Sequence, residues 1–261
     1  AEVINVTISL SLVPPNATSL NSRAILSGTG AIRSGLTHQM RPPVPCTLKK
    51  QFPSSSTAKP LTPENVVITR LLDAFAADPA FTSSSLAMNV PMSLVDNASR
   101  ATNIEGYAPR SDEDMLFLYN IVAPDYFRTL RIPLLAGRDF TRTDGLDAPA
   151  AVIVNETLAR RFWQTPENAI GKRLRSGGDW RQVIGVARDL KYSRLSEGPR
   201  PFVYYPLLQS YVPSMHVHAR TNGDLNYAMR RVRDHLQAID STIPITRSAT
   251  LNEQTRVALL V

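Results

Sequence analysis

The chain has 261 residues, 43% hydrophobic and 20% charged, which suits one large or two small packed domains of ordinary globular composition. Its net charge of +7 does not mark a nucleic-acid binder: within residues 1–60 the six cations Arg23, Arg33, Arg41, Lys49, Lys50 and Lys59 face one acid, Glu2, and leave +5, so the rest of the chain carries only +2, whereas a nucleic-acid footprint is a basic patch on a folded face. The single cysteine, Cys46, excludes an intramolecular disulfide and a multi-cysteine metal site, and no run reaches the ~18 apolar residues of a membrane helix.

The first element is a strand. In EVINVTISLSLV, Glu2 to Val13, apolar residues alternate at Ile4, Val6, Ile8, Leu10 and Leu12 until Pro14 and Pro15 end the run. Residues 16–60 are rich in Ser, Thr, Pro and Gly without a sustained period, and read as a disordered insertion or as sequence outside the fold. Order resumes at TPENVVITRLLDAFAADPAF. Thr62 caps a helix, Pro63 and Glu64 suit its first turn, Val67, Leu71, Leu72 and Phe75 make its apolar stripe, and Asp78 with Pro79 stops it.

FTSSSLAMNVP, ATNIEGYAP and MLFLYNIVA read as strands, the last two separated by an acidic turn at Ser111 to Asp114. Pro124, Asp125, Tyr126 and Phe127 open a short helix, and RIPLLAGRDF leads to a turn at Gly137. A buried strand, Ala150 to Val154, passes into a helix capped by Asn155. WRQVIGVARDL is a strand reached through a hairpin turn at Ser176 to Asp179, and RPFVYYPL and SMHVHART are further strands. DLNYAMRRVRDHLQAID is a helix with Leu225, Ala228, Met229, Val232 and Leu236 on one face. IPITRSAT is the last strand, and LNEQTRVALLV starts a helix capped by Asn252 or Thr250. The outline is α+β: two βαβ-like pieces, near the two ends, bracket a middle made mostly of strands. The chain starts at Ala1 without signal-peptide features and stops inside the apolar run RVALLV, so it reads as a piece of a longer polypeptide cut near the start of a hydrophobic helix.

Chemistry is sparse. GTGAIRSG, Gly28 to Gly35, lacks the GxxxxGK[ST] spacing of a phosphate loop. Of the histidines His38, His216, His218 and His235, the pair His216 and His218 shares a strand face without an acid or cysteine at zinc-like spacing, and reads as ordinary surface histidine. Asp112, Glu113 and Asp114 read as a solvated turn, and Asp139, Asp144 and Asp147 miss the EF-hand pattern. No GxSxG elbow occurs among the serines. In NETLARRFW, burial of Leu158, Phe162 and Trp163 accounts for the aromatics more simply than a cation–π contact with Arg160 or Arg161. Asn-x-Ser/Thr sequons stand at Asn5, Asn16, Asn97 and Asn155. No catalytic, cofactor-binding or metal-ligating residue is assigned, no cofactor is expected, and the chain does not read as an enzyme.

The ordered series YNIVAPDYFRTLRIPLLAGRDF (Tyr119 to Phe140), VIVNETLARRFW, IGKRL and VIGVARDL resembles the extracytoplasmic core domain of MacB/FtsX-type ABC transporter permeases, closest to the duplicated orphan-permease branch, over roughly residues 62–255. The resemblance implies an α+β fold with a porter-like subdomain from both ends of the chain, residues 61–97 and 207–255, and a mostly-β subdomain, 98–206, inserted between them. Residues 1–60 depart from the family pattern, and 256–261 would begin a membrane helix. It also implies a place on the periplasmic side of the bacterial inner membrane, and a non-catalytic role that couples helix movement to export or to a periplasmic partner. Its own partners would be a cognate ABC ATPase and the membrane through flanking helices, with a permease dimer left open. A stand-alone binding or scaffold domain of the same fold is the alternative, and a hydrolase the third reading; fold likeness alone names no substrate. Within the series, Tyr126, Phe127, Leu130, Ile132, Leu134 and Leu135 are expected to lock the short helix onto the sheet.

Overall fold

The computed structural model describes residues 2–9, 63–92, 98–192, 196–241 and 243–259. The basic stretch 16–60, with Gly28 to Gly35, His38 and Cys46, lies outside them, as do Leu10 to Val13, Thr62, and the sequons at Asn16 and Asn97. In chain order the elements are β1 (Glu2–Ser9), α1 (Pro63–Ala77), β2 (Ser83–Ala87), β3 (Ser99–Ala101), β4 (Asn103–Ile104), β5 (Leu116–Val122), α2 (Tyr126–Leu130) and β6 (Leu134–Gly137). There follow β7 (Ala151–Asn155), α3 (Glu156–Trp163), α4 (Pro166–Ala169), β8 (Arg173–Arg175), β9 (Arg181–Ala187), β10 (Phe202–Pro206), β11 (Ser214–Thr221), α5 (Leu225–Ile239), β12 (Ile245–Thr250) and α6 (Leu251–Leu259).

The fold is mixed α+β, and all strands among the described residues join one sheet in the order β12-β1-β11-β2-β5-β10-β7-β9-β8-β4, with β3 on β5 and β6 on β9. Runs such as AVIVN in β7 and FVYYP in β10 are buried at every position, because a central strand covered on both faces tolerates no polar alternation. Most neighbours are antiparallel, but β5 with β10 and β7 with β9 run parallel. The period of two then sorts each strand onto two faces. On the first, Ile4, Leu86, Phe117, Ile121, Val152, Val154, Val203 and Val217 pack with Ile68, Leu71, Leu72 and Phe75 of α1, Val232 and Leu236 of α5, and Leu158 of α3. On the second, Leu118, Val122, Ile153, Phe202 and Tyr204 pack with Tyr126 and Phe127 of α2 and with Ile132, Phe140 and Tyr192.

Local signals hold the helix starts. Asn155 Oδ1 accepts from Leu158 N at 3.1 Å and Asp224 Oδ1 from Tyr227 N at 2.6 Å. At α6 the cap is Thr250: its Oγ1 accepts from Glu253 N while Glu253 Oε2 accepts from Thr250 N, a reciprocal capping box. Helix α4, absent from the sequence outline, is a single turn capped by Thr165 with Pro166 at its start. The α1 stripe includes Ile68, fully buried, where the sequence suggested Val67, which is half-buried.

Candidate functional site

The segment Tyr119 to Phe140 forms a joint. Strand β2 pairs with β5 in register at Ala87 opposite Val122, flanked by Met88 N–H to Ile121 O and Ala123 N–H to Leu86 O, both 2.8 Å. Asn120 strengthens this short seam. Its Oδ1 accepts from Asn89 N at 2.9 Å, and its Nδ2 donates to Asn89 O at 3.0 Å. Over the seam sits α2, a single turn. Both flanking residues are left-handed, Asp125 with φ 66° and Arg131 with φ 57°, which confines the helix to the five residues between them.

Helix α2 reaches both sides of the seam. The Phe127 ring meets Tyr204 of β10 edge-on at 4.9 Å, and Tyr126 meets His218 of β11 at 5.7 Å. Arg220 of β11 donates from Nε to the Thr129 carbonyl at 2.8 Å. The Tyr126 hydroxyl is 3.1 Å from that of Tyr192, whose ring stacks on Phe202 at 4.1 Å. Burial pushes the Tyr126, Tyr192 and Tyr204 hydroxyls up, so they stay neutral. Of the six residues expected to lock this helix, Tyr126, Phe127 and Ile132 are buried, Leu130 and Leu134 pack from the margin, and Leu135 is half-buried.

Beside Tyr192 and Phe202 lies a cavity of about 280 Å³, with Leu118 and Leu190 on its apolar side and Asp189, Glu197 and Arg200 on its polar side. Its polar groups serve the frame. Asp189 accepts from Asn155 Nδ2 at 2.6 Å, Thr157 N at 3.0 Å and Thr157 Oγ1 at 2.6 Å, and Glu197 accepts from the Tyr192 N–H. Asn155 is thereby a hub as well as a cap, taking Phe202 N–H on Oδ1 and giving Nδ2 to Arg200 O.

Several residues take places other than those the sequence suggested. His218 is not on the surface: it is fully buried against α2, joined through Nδ1 to Asn5 Oδ1, and burial holds its pKa down to about 3. The apolar period of β11 concealed this, since both faces of a central strand are covered. Glu113 is not merely solvated. It binds the Tyr107 hydroxyl and Arg161, whose guanidinium leads in holding its pKa down to about 2. Asp144 is committed to Arg138, with Nη1 to Oδ2 at 2.7 Å and Nη2 to Oδ1 at 2.8 Å, and accepts from Thr141 N at 2.8 Å. Phe162 and Trp163 are half-buried, and a cation–π contact is present: Arg161 lies 4.9 Å from the Phe162 centroid. Reading residue by residue also missed Asp78, which accepts from Arg231 Nε at 2.8 Å and meets His235 Nε2 at 2.6 Å, tying the end of α1 to α5. Among the described residues no group of three His, Cys, Asp or Glu converges as a metal site, and no helix is long and apolar enough to cross a membrane.

Residues 28–238 match the family model of the MacB-like periplasmic core domain. The fold is similar to the periplasmic region of MacB from Actinobacillus actinomycetemcomitans, with a TM-score of 0.50 at 13% identity over 74% of this chain and 83% of that one. The extracellular domain of the noncanonic ABC-type transporter YknZ from Gram-positive bacteria aligns with a TM-score of 0.46 at 17% identity, over 68% of this chain and 87% of that one. No curated protein matches.

Proposed function

The chain belongs to the MacB-like periplasmic core domain family, and from that premise we propose that it is the extracytoplasmic domain of an ABC-type permease, coupling ATP-driven movement of membrane helices to export or to a periplasmic partner. In this reading it lies on the periplasmic side of the bacterial inner membrane, works with a cognate ABC ATPase, and performs no catalysis itself. The duplicated orphan-permease branch is the assignment within the family that the sequence pattern favours.

One observation carries the mechanical part. The first and last described strands are neighbours at one sheet edge: β1 pairs with β12 from Ile4 opposite Thr250, and Glu2 Oε1 accepts from Asn252 Nδ2 at 3.2 Å. Movement delivered to either end therefore loads the same edge. From there the load passes through β11 and β2 to the seam with β5, where Asn120 and α2 bridge to the rest of the sheet. A close-packed interior has low compressibility and transmits strain.

The division into a porter-like part, residues 61–97 with 207–255, and an inserted part, 98–206, fits this path. In this division the two parts would meet at the β2–β5 seam, the shortest in-register pairing along the sheet path. The alternative, a stand-alone extracytoplasmic binding or scaffold domain, would use the same fold without flanking membrane helices.

Site-specific labelling of the full-length protein in cells tests the placement. With Cys46 changed to serine, Tyr227→Cys puts a thiol at a position 50% exposed. Labelling of intact cells by a maleimide that passes the outer but not the inner membrane, with co-purification of an ATPase, is the expected result. Labelling only after lysis refutes the extracytoplasmic placement; labelling of a protein free of the membrane favours the stand-alone domain.

A further inference from the structure

On the first face of the sheet, two arginines flank a pair of tyrosines. Strand β3 sets Arg100 opposite Phe117 of β5, and Tyr119 follows two residues later on the same face. Tyr205 extends that face on β10, with Val152 of β7 beyond it, and Arg181, two residues before Val183, reaches it from β9. The Arg100 guanidinium carbon lies 4.3 Å from the Tyr119 centroid and 5.5 Å from that of Tyr205. The Arg181 guanidinium carbon is also 5.5 Å from Tyr205, whose ring meets Tyr119 at 5.7 Å and 78°.

The charges are unbalanced. Arg138, Arg142, Arg160, Arg161, Arg173 and Arg231 each meet a carboxylate. Arg100 and Arg181 have no ion pair among the described residues; Arg181 donates Nη1 to the neutral Gln209 Oε1 at 3.1 Å. Asp179 acts on Arg181 only from a distance, while burial and the charge of Arg100 both hold the Arg181 pKa below its ordinary value. The ring faces compensate two like charges in part, but each guanidinium has five N–H donors in a fixed fork that a ring does not saturate. Arg100 is exposed and Tyr119 and Arg181 are half-buried, so a small solute reaches them.

We propose that Arg100 and Arg181 form a binding site for an oxyanion, a phosphate or carboxylate group carried on a small molecule, with Tyr119 and Tyr205 as its aromatic floor. The paired oxygens of such groups complement the guanidinium fork, and their charge relieves the repulsion between the two arginines. The site is independent of the transport reading and would stand if that reading failed.

The test follows the arginine Nε–Hε resonances of the isotopically labelled 261-residue chain during titration with inorganic phosphate and, separately, acetate, at ionic strength held constant with chloride. The expected result is saturable shifts at Arg100 and Arg181, with a dissociation constant on the order of 1 mM for at least one of the two anions. Arg181→Gln and Arg100→Gln are each expected to weaken binding about tenfold or more. Arg181→Lys, which keeps the charge and stem but not the fork, is expected to fall between wild type and Arg181→Gln. Saturation by phosphate alone or acetate alone assigns the ligand class. Shifts that stay linear with both anions, or saturable binding unchanged in the Arg100→Gln/Arg181→Gln variant, overturn the proposal.

Discussion

Gly137 and Gly185 stand opposite each other where β6 meets β9, and neither strand leaves room for a side chain on the other. A Cβ on Gly137 would lie 2.2 Å from Ile184 O and 2.8 Å from Gly185 Cα; one on Gly185 would lie 2.4 Å from Arg138 O. Gly137 also has φ +72°, a conformation L side chains rarely adopt. Gly137→Ala is therefore expected to destabilise the protein by about 2–4 kcal/mol and Gly185→Ala by about 1–3 kcal/mol. The double variant should cost less than the sum, because both relieve one contact by the same backbone shift. Urea denaturation checks this; a wild-type midpoint for either variant would contradict so close an approach.

Phe127 is 1% exposed and packs its ring edge-on against Tyr204 and Tyr126. Phe127→Ala is expected to destabilise by about 3–5 kcal/mol, since the left-handed residues at each end of α2 stop the helix from collapsing into the gap. The same urea experiment measures it, and unfolding at the wild-type midpoint would remove the packing role of the joint.

Asp144, 5% exposed, is held below the usual carboxylate range chiefly by the Arg138 guanidinium, with Thr141 adding its N–H and hydroxyl. Asp144→Asn is expected to cost about 2 kcal/mol at pH 7. Because the folded pKa is lowered, that stabilisation is present above the unfolded value and is lost as the pH falls through about 4 and below. The wild-type and variant midpoints should thus draw together as the pH falls below the unfolded carboxylate value; a gap independent of pH would show that packing, not charge, is at stake.

Asp139 has the opposite sign. Burial chiefly, with the charges of Asp125 and Asp144, pushes its pKa up to about 6, although its Oδ1 accepts from Phe140 N–H. The neutral form is favoured in the fold, so its contribution is full below the unfolded value and is lost as the pH rises through about 6. Asp139→Asn is expected to stabilise the protein at pH 7.5 by on the order of 1–2 kcal/mol and to have little effect at pH 4. Thermal unfolding at the two pH values decides it: equal midpoints at pH 7.5 would contradict a buried, disfavoured carboxylate.

His218 governs the acid limb. Its pKa of about 3 in the fold means that the unfolded chain takes up a proton first as the pH falls below about 6.5. Stability present above that value is lost progressively down to about pH 3. His218→Gln, which keeps an amide to meet Asn5, is expected to flatten the loss between pH 6 and 4. An unchanged slope would mean that His218 is reached by water in the fold.

Much of the outline was legible in the residues. The strand at EVINVT, the buried run AVIV before Asn155, the stripe of α5 and the glycine at 137 each follow a local rule and stand in the structure, although EVINVT is not half-buried: Val3 and Asn5 are buried as well as Ile4 and Val6. Local rules failed where the deciding neighbour is far along the chain. The burial of His218 depends on Asn5, 213 residues away, the hold on Asp78 on Arg231, 153 away, and the place of Glu113 on Arg161, 48 away. Arg100 and Arg181 look like ordinary strand-end cations until strand order sets both against Tyr205.

By itself, then, the sequence determined most of the element types, the turns and the family, because backbone propensity, capping and hydrophobic period act over a few residues and the family pattern is a series of such local signals. Only the tertiary structure decided which polar groups are structural and which charges stay unpaired, because burial and electrostatic pairing follow from strand order and register, which no local window contains.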